Sequence, residues 1–328
     1  MDFIQPRRPR RNRSTAAIRN LTQEHRLHPH DFVLPLFIQE GTNHSTPILS
    51  LPGNARLSPD LILKKSEECL NAGVQAVCLF PYLPPHKKTP RGEESCNPEG
   101  LLQQTIRLLK ANVPEICIIT DVALDPYSSH GHDGLYQNGQ ILNDETLELL
   151  GKMAVSQAEA GADVIAPSDM MDGRVQSIRA DLDSAGFTHT LICSYTAKYA
   201  SAFYGPFRDA LDSAPGEGDK KTYQMNPANL READLEVDLD EAEGADWLLV
   251  KPGLPYLDVL YRVRQRTSLP LAVYHVSGEL AMLRAAAEKG WLQYEPCLLE
   301  SLLAFKRAGA DMIFTYAALD AAKAIAKA

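Results

Sequence analysis

One phrase recurs along the chain and constrains its fold more than any other feature. AGVQAVCLFP (72–81), AGADVIAPSD (160–169), EGADWLLVKPG (243–253) and AGADMIFTYAA (308–318) share one grammar: a helix closes on glycine, one acidic or polar residue follows, and four to six apolar residues come next. Glycine just past a helix supplies a left-handed C-cap, and the apolar run behind it reads as a strand buried on both faces. Four more such runs, FVLPLFI (32–38), EICIITDVAL (115–124), HTLICSY (189–195) and PLAVYHV (270–276), bring the candidate strands to eight. Helix-periodic segments alternate with them, at about 59–72, 98–112, 143–160, 172–185, 228–243, 256–267, 279–289 with 294–308, and 318–327. Asn143 and Ser168, each set before an acidic residue, are the expected helix-start residues. Eight strand-then-helix units predict a single (β/α)8 barrel over 31–328, with residues 1–30 as an arm outside it. A doubly wound sheet would not need the eighth strand. No GxGxxG or GxxxxGK[ST] is present, which disfavours a nucleotide site built on a phosphate loop.

Composition excludes other classes. With 45% apolar and 23% charged residues, the chain is neither disordered, fibrous nor a small disulfide scaffold. No apolar run approaches the length of a membrane-spanning helix, and MDFIQPRRPRRNR lacks the apolar core of a secretory signal. The six cysteines, at 69, 78, 96, 117, 193 and 297, form no CxxC pair; Cys78, Cys117 and Cys193 lie in apolar runs and read as small buried hydrophobes. That usage fits a reduced interior, cytoplasmic or plastid stromal. The net charge is −9, yet residues 1–13 hold five Arg against one Asp, a local +4 that leaves −13 on the rest. Such an arm suits an acidic neighbouring subunit. Without Lys or interleaved aromatics beyond Phe3, it predicts neither a nucleic-acid nor a membrane partner.

In a barrel of this kind the chemistry sits where strands run into the following loops. Those ends present Asp121 with Asp125, Ser168 with Asp169, Ser194 with Lys198, Lys251, His275 with Ser277, and Tyr316. Lys251 ends the apolar run WLLV and precedes Pro-Gly. Burial there disfavours the ammonium and frees an amine that can attack a ketone to give a Schiff base. Lys198, just past HTLICSY, would be a second such lysine in the same mouth, each disfavouring the other's charge.

The run GADWLLVKPGLPY (244–256) resembles the active-site lysine signature of the porphobilinogen synthase, or δ-aminolevulinic acid dehydratase, family. RRPRRNR, DVALDPYSSHGHDG, APSDMMDGR, SYTAKYASAFYGPFRDA, YQMNPAN and AVYHVSGEL agree in order and spacing, so the resemblance covers roughly 5–320. It implies condensation of two 5-aminolevulinate molecules to porphobilinogen with loss of two waters. Lys251 would hold the substrate that keeps the propionate side and Lys198 the one that keeps the acetate side, each as a Schiff base. It further implies that Ser277 and Tyr316 bind the first carboxylate and Arg208, Lys220 and Gln224 the second. Tyr204 and Phe207 would pack over the substrate, and Ser168 and Asp121 would contact its amino side. The stretch 204–224, with Gly205, Gly216, Gly218 and two Pro, reads as a lid. A class I Schiff-base aldolase would need one lysine and a phosphate clamp, and an inactive interaction barrel would not need both lysines.

The metal loop departs from part of that family. Zinc-dependent members carry three Cys after the third strand, where this chain has Ala123, Asp125 and Asp133. A zinc site of three thiolates is therefore excluded by residue type. Carboxylates suit hard cations such as Mg²⁺, Na⁺ or K⁺; alternatively, Asp125 and Asp133 would act on substrate amino groups or order a water. His130 and His132 beside them read as a polar rim. Glu236 lies fifteen residues before Lys251, where magnesium-activated members carry Glu. The resemblance thus implies a non-catalytic, allosteric Mg²⁺ at Glu236, assisted by Asp169 through water, and a homo-octamer built by exchange of N-terminal arms.

Overall fold

All eight apolar runs are strands in the structure, a computed structural model that describes residues 7–327. In chain order they are β1 (Phe32–Ile38), β2 (Ala76–Pro81), β3 (Cys117–Val122), β4 (Val164–Pro167), β5 (Leu191–Lys198), β6 (Trp247–Lys251), β7 (Leu271–His275) and β8 (Met312–Thr315). Each pairs in parallel with the next, and β8 pairs with β1, so the sheet closes on itself. Around it lie α1 (Pro59–Asn71), α2 (Leu101–Asn112), α3 (Asn143–Ala160), α4 (Arg174–Ser184), α5 (Glu232–Glu243), α6 (Leu257–Arg266), α7 (Ser277–Glu288), α8 (Tyr294–Ala308) and α9 (Ala318–Lys327). This is a (β/α)8 barrel.

The recurring phrase has a physical purpose. Gly161 and Gly244 take φ of 108° and 101° to end α3 and α5. Two residues on, Asp163 accepts from the Ile118 amide (2.7 Å), Asp246 from Ile192 (2.8 Å) and Asp311 from Leu271 (2.8 Å). The amides of the same three aspartates donate back to the Ile118, Ile192 and Leu271 carbonyls. Each aspartate thus clamps its strand to the preceding one at two points, fixing the register of the β3–β4, β5–β6 and β7–β8 pairs. A one-residue slip would turn the interior side chains outward.

Three local expectations need correction. No helix starts at Ser168: Asp169 accepts from the Met171 amide (2.7 Å), and positive φ at Met170 and Gly173 delays α4 to Arg174. Asn143, by contrast, does start α3, as its first helical residue, and its amide group pairs both ways with the Asp172 backbone. β5 runs on to Lys198 rather than stopping at Tyr195. Cys117 is only half-buried at the outer start of β3, whereas Cys78 and Cys193 are buried.

In the arm, the short helices Pro9–Arg13 and Ala16–Leu21 bury no residue. Residues 1–6 of the expected arm, Phe3 among them, lie outside the described residues.

Candidate active site

Two lysines meet because of strand register. Lys198 and Lys251 are the last residues of β5 and β6 and pair directly across those neighbouring strands, whose backbones run about 4.8 Å apart. Between Ser194 and Ala197, β5 spends three residues where β6 spends two. This bulge reverses the alternation of side chains. As a result Tyr195 and Lys198, three residues apart, approach each other inside the barrel, with the ammonium 5.9 Å from the ring centre.

The two lysines sit in opposite surroundings. Lys251, 5% exposed, has its Nζ 4.4 to 5.3 Å from the ring centres of Tyr274, Phe207, Tyr204 and Tyr195. Among the described residues it has no hydrogen-bonded or ion-paired partner. Burial, and then the nearby Lys198 charge, pull its pKa down to about 7 from the usual 10.5. Ring quadrupoles favour the ammonium somewhat, but desolvation outweighs them. A free amine is therefore available near neutrality.

Lys198 faces carboxylate instead. Its Nζ donates to Asp133 (3.1 Å) and to the Ser168 carbonyl. Lys220 donates to the other Asp133 oxygen (2.5 Å) and to Asp125 (3.3 Å). Two ammoniums thus share two carboxylates, all buried. Burial pushes the Asp133 carboxyl up, yet Lys198 and Lys220 together outweigh it and hold the pKa down at about 2. Asp121, also buried, has no such pair among the described residues; burial, with the Asp125 charge, pushes it up to about 7. The carboxylates expected to meet a hard cation are occupied here by the protein's own ammoniums.

The segment 202–224 closes the mouth. Asp125, Ser168, Lys198, Tyr204, Phe207, Arg208, Lys220, Gln224 and Lys251 line a residual space of about 20 Å3, room for one water. The Phe207 amide donates to Ser277 Oγ (3.1 Å), and Lys88 Nζ donates to the Asp212 carbonyl (2.7 Å). Gln224 Nε2 lies 3.4 Å from Asp133. His132 holds the segment twice: its Nε2–H donates to the Glu217 carbonyl (2.9 Å), so its Nδ1 accepts from the Tyr223 hydroxyl (3.1 Å). His130 donates through Nε2 to the Pro90 carbonyl (3.1 Å) and accepts the His132 amide at Nδ1. Gly131 is required there, because a Cβ would lie 2.4 Å from the Ala214 carbonyl oxygen of the segment. Nothing larger than water fits beneath it, so substrate entry requires the segment to move.

Not every strand-end candidate comes to this space. Tyr316 does not line it; its hydroxyl is 3.1 Å from that of Tyr274 and its ring is stacked on Phe37. Ser194 points out of the barrel, where it donates to Asp240 (2.7 Å) and accepts from Arg174 (3.0 Å). His275 also points outward, to Thr315 Oγ1 (3.0 Å) and the Phe305 ring. Tyr195 and Tyr274 take the interior positions instead. Sequence reasoning missed both; a tyrosine inside an otherwise apolar run beside a candidate lysine is the signal that could have found them.

Glu236 lies in a separate cavity of about 280 Å3 lined by Asn143, Asp172, Asn226, Glu232 and Gln224, the last also lining the lysine site. Burial pushes the Glu236 carboxyl up to about 7; Arg174 opposes the shift, while Asp240, Asp172 and Glu232 add to it. Asp169 is fully buried, one oxygen without a partner among the described residues, and does not line this cavity. Arg174, which both acids influence, also donates to the Met171 and Tyr195 carbonyls. No three His, Cys, Asp or Glu side chains among the described residues form a ready metal cluster.

Comparisons with known proteins point one way. A family model described as Delta-aminolevulinic acid dehydratase matches residues 6–324. The chloroplastic delta-aminolevulinic acid dehydratase of Chlamydomonas reinhardtii is 55% identical, over 98% of this chain and 85% of its own. The enzyme of that name from Chlamydia pneumoniae is 54% identical, over 95% and 94%. The crystal structure of Toxoplasma gondii delta-aminolevulinic acid dehydratase (porphobilinogen synthase) in complex with its reaction product porphobilinogen superposes with a TM-score of 0.96. It is 53% identical, over 98% of this chain and 91% of its own.

Proposed function

The chain belongs to the delta-aminolevulinic acid dehydratase family, and we propose how its residues divide the reaction of that family, the hydro-lyase condensation of two 5-aminolevulinate molecules to porphobilinogen. The unprotonated Lys251 amine attacks the ketone of the first substrate, and loss of water leaves an iminium. Ser277 and Tyr316 hold that substrate's carboxylate. Lys198 forms the second Schiff base, while Arg208, Lys220 and Gln224 take the other carboxylate. Loss of a proton beside one iminium gives an enamine whose carbon attacks the other iminium carbon, forming the carbon–carbon bond, and elimination then expels the lysine held there. Attack of that substrate's amine on the remaining iminium expels the second lysine, and loss of a proton completes the ring. Positioning two copies of one molecule differently is the central task.

One observation carries this reading: two lysines in register within one closed space, one caged by aromatic rings without a counterion, the other paired to carboxylate. That asymmetry distinguishes two identical substrates. Lys220, now on Asp125 and Asp133, would exchange those carboxylates for the substrate's when the 204–224 lid closes on it. The freed aspartates would then receive a substrate ammonium. Borohydride trapping with 5-aminolevulinate, read by peptide mass spectrometry, should place substrate on Lys251 first. Failure to label any lysine would sink the assignment.

A hard cation fits the Glu236 cavity. Glu236, Glu232, Asp172, Asn143 and Asn226 offer oxygen donors, with Lys221 as the one cation on its wall, and there is room for retained waters, as Mg²⁺ prefers. When bound, Mg²⁺ would supply charge neutralisation there and stabilise the assembled enzyme rather than take part in bond making. Glu236 would hold it directly, and Asp169, which does not line the cavity, would assist only through water. Glu236→Ala should abolish both Mg²⁺ stimulation and any Mg²⁺-dependent rise in melting temperature, leaving metal-free Lys251 trapping intact. Retained stimulation would refute the site.

The exposed arginines of the arm support contact with an acidic neighbouring subunit, in keeping with a homo-octamer formed by arm exchange. No helix among the described residues is long and apolar enough to cross a membrane. Chloroplastic and bacterial relatives support the bacterial cytoplasm or the plastid stroma as the compartment.

A further inference from the structure

A buried carboxylate outside the lysine site joins its two halves. Glu279 lies in the first turn of α7 and is 0% exposed. One of its oxygens accepts from the Leu254 amide at 2.5 Å. The other accepts from the Val276 amide at 2.5 Å and, at 3.4 Å, from Gly253. Gly253 and Leu254 belong to the turn that leaves β6 directly after Lys251; Val276 precedes Ser277. One side chain therefore ties the turn behind the imine-forming lysine to the turn that presents Ser277.

The surroundings leave this tie little freedom. On the other side of the β6 end, the Lys251 carbonyl accepts from the Tyr199 amide (3.0 Å) and the Tyr204 hydroxyl (3.3 Å). Gly278, between Ser277 and Glu279, lies against the root of the lid, where a Cβ would fall 2.5 Å from the Phe203 carbonyl oxygen. Because the Lys251 ammonium has no polar partner of its own among the described residues, the backbone turn sets where it stands. Burial pushes the Glu279 carboxyl up while the three amides oppose that shift. Three donors converging on one side chain need an acceptor at each oxygen, which only a carboxylate supplies.

We propose that Glu279 is a positioning residue that fixes the separation between Lys251 Nζ and the Ser277 hydroxyl, and so sets the preference for ketones carrying a carboxylate at the matching distance. This rests on the assignment of Lys251 and Ser277 to one substrate. The separation matters because misplacing reacting groups by an ångström costs on the order of a hundredfold in rate.

The test compares borohydride trapping at Lys251 by levulinic acid and by 2-pentanone, a ketone of the same chain length without the carboxylate. The unsubstituted enzyme should label with levulinate at least about tenfold faster. In Glu279→Gln the side-chain NH2 faces a backbone N–H, donor against donor. That variant should still label with 2-pentanone but lose most of the preference, with KM for 5-aminolevulinate rising. Glu279→Asp keeps the charge but is one methylene short of spanning both turns; it should show the same loss, and carries the test if the Gln variant does not fold. A preference unchanged in the variants would overturn the role of Glu279 while leaving Lys251 in place. If the unsubstituted enzyme labels Lys251 with neither ketone, the assignment of that lysine fails, and this inference with it.

Discussion

Lys251→Met lowers product formation by at least about 10⁴-fold, the scale on which an enzyme loses rate with its nucleophile, while the protein stays folded. Methionine is close in length to lysine and apolar, so it fills the space among Tyr195, Tyr204, Phe207 and Tyr274 without a cavity or an unpaired charge. Stability should shift in an unusual direction. The folded Lys251 titrates near pH 7, against 10.5 when unfolded, so between those values the unfolded chain binds the extra proton. The lysine is therefore destabilising below about pH 7, and that penalty fades as pH rises toward 10.5. The variant should be at least as stable as the parent at pH 7, the gap closing in alkali. In the parent, the rate of Lys251 trapping at limiting substrate should rise through pH 7 and then level. A variant retaining full activity, or a flat trapping profile from pH 6 to 9, would contradict the assignment.

Asp133→Ala has the opposite character. It strips one partner from each of two buried ammoniums, leaving Lys198 with only the Ser168 carbonyl and Lys220 with Asp125. Breaking a buried ion pair by removing one member costs about 3–5 kcal/mol, and the variant should unfold at correspondingly lower denaturant at pH 7. Asp133 is held at about 2, below its ordinary 3.8. Its contribution is thus present above pH 4 and disappears as pH falls through 2. The difference between parent and variant should shrink over that interval. Activity should fall as well, since Lys198 and the lid's Lys220 lose their common anchor. Equal denaturation midpoints at pH 7 would show that the four-charge cluster contributes no net stability.

Some of this arrangement was legible in the residues and some was not. The recurring phrase identified four strands outright, because a left-handed cap followed by an apolar run leaves few alternatives, whereas the register clamp made by three of its aspartates emerged only from the structure. Lys251 stood out as a charge ending an apolar run. Regular alternation would place Ser194 and Lys198, four apart, on one face of a strand; the bulge in β5 breaks that rule and delivers Tyr195 instead. His275 ends β7, yet the interior position belongs to Tyr274. Strands buried on both faces are apolar on both faces, so hydropathy reports their existence but not their phase. Glu279 looked like an ordinary acid in the first turn of a helix, and nothing local marks the turn it reaches across to grip.

By itself, then, the sequence determined the eight strands, their alternation with helices, the closure into a barrel and two lysines at its mouth. Each of these rests on interactions between residues close along the chain or on burial common to a whole strand. Only the tertiary structure decided that Lys198 meets Asp133, that Lys251 stands among four rings, that the lid's Lys220 occupies the carboxylates of the loop after β3, and that Glu279 joins β6 to α7. Those partners lie well apart in the chain. Their meeting follows from barrel closure and strand register, which no local pattern encodes.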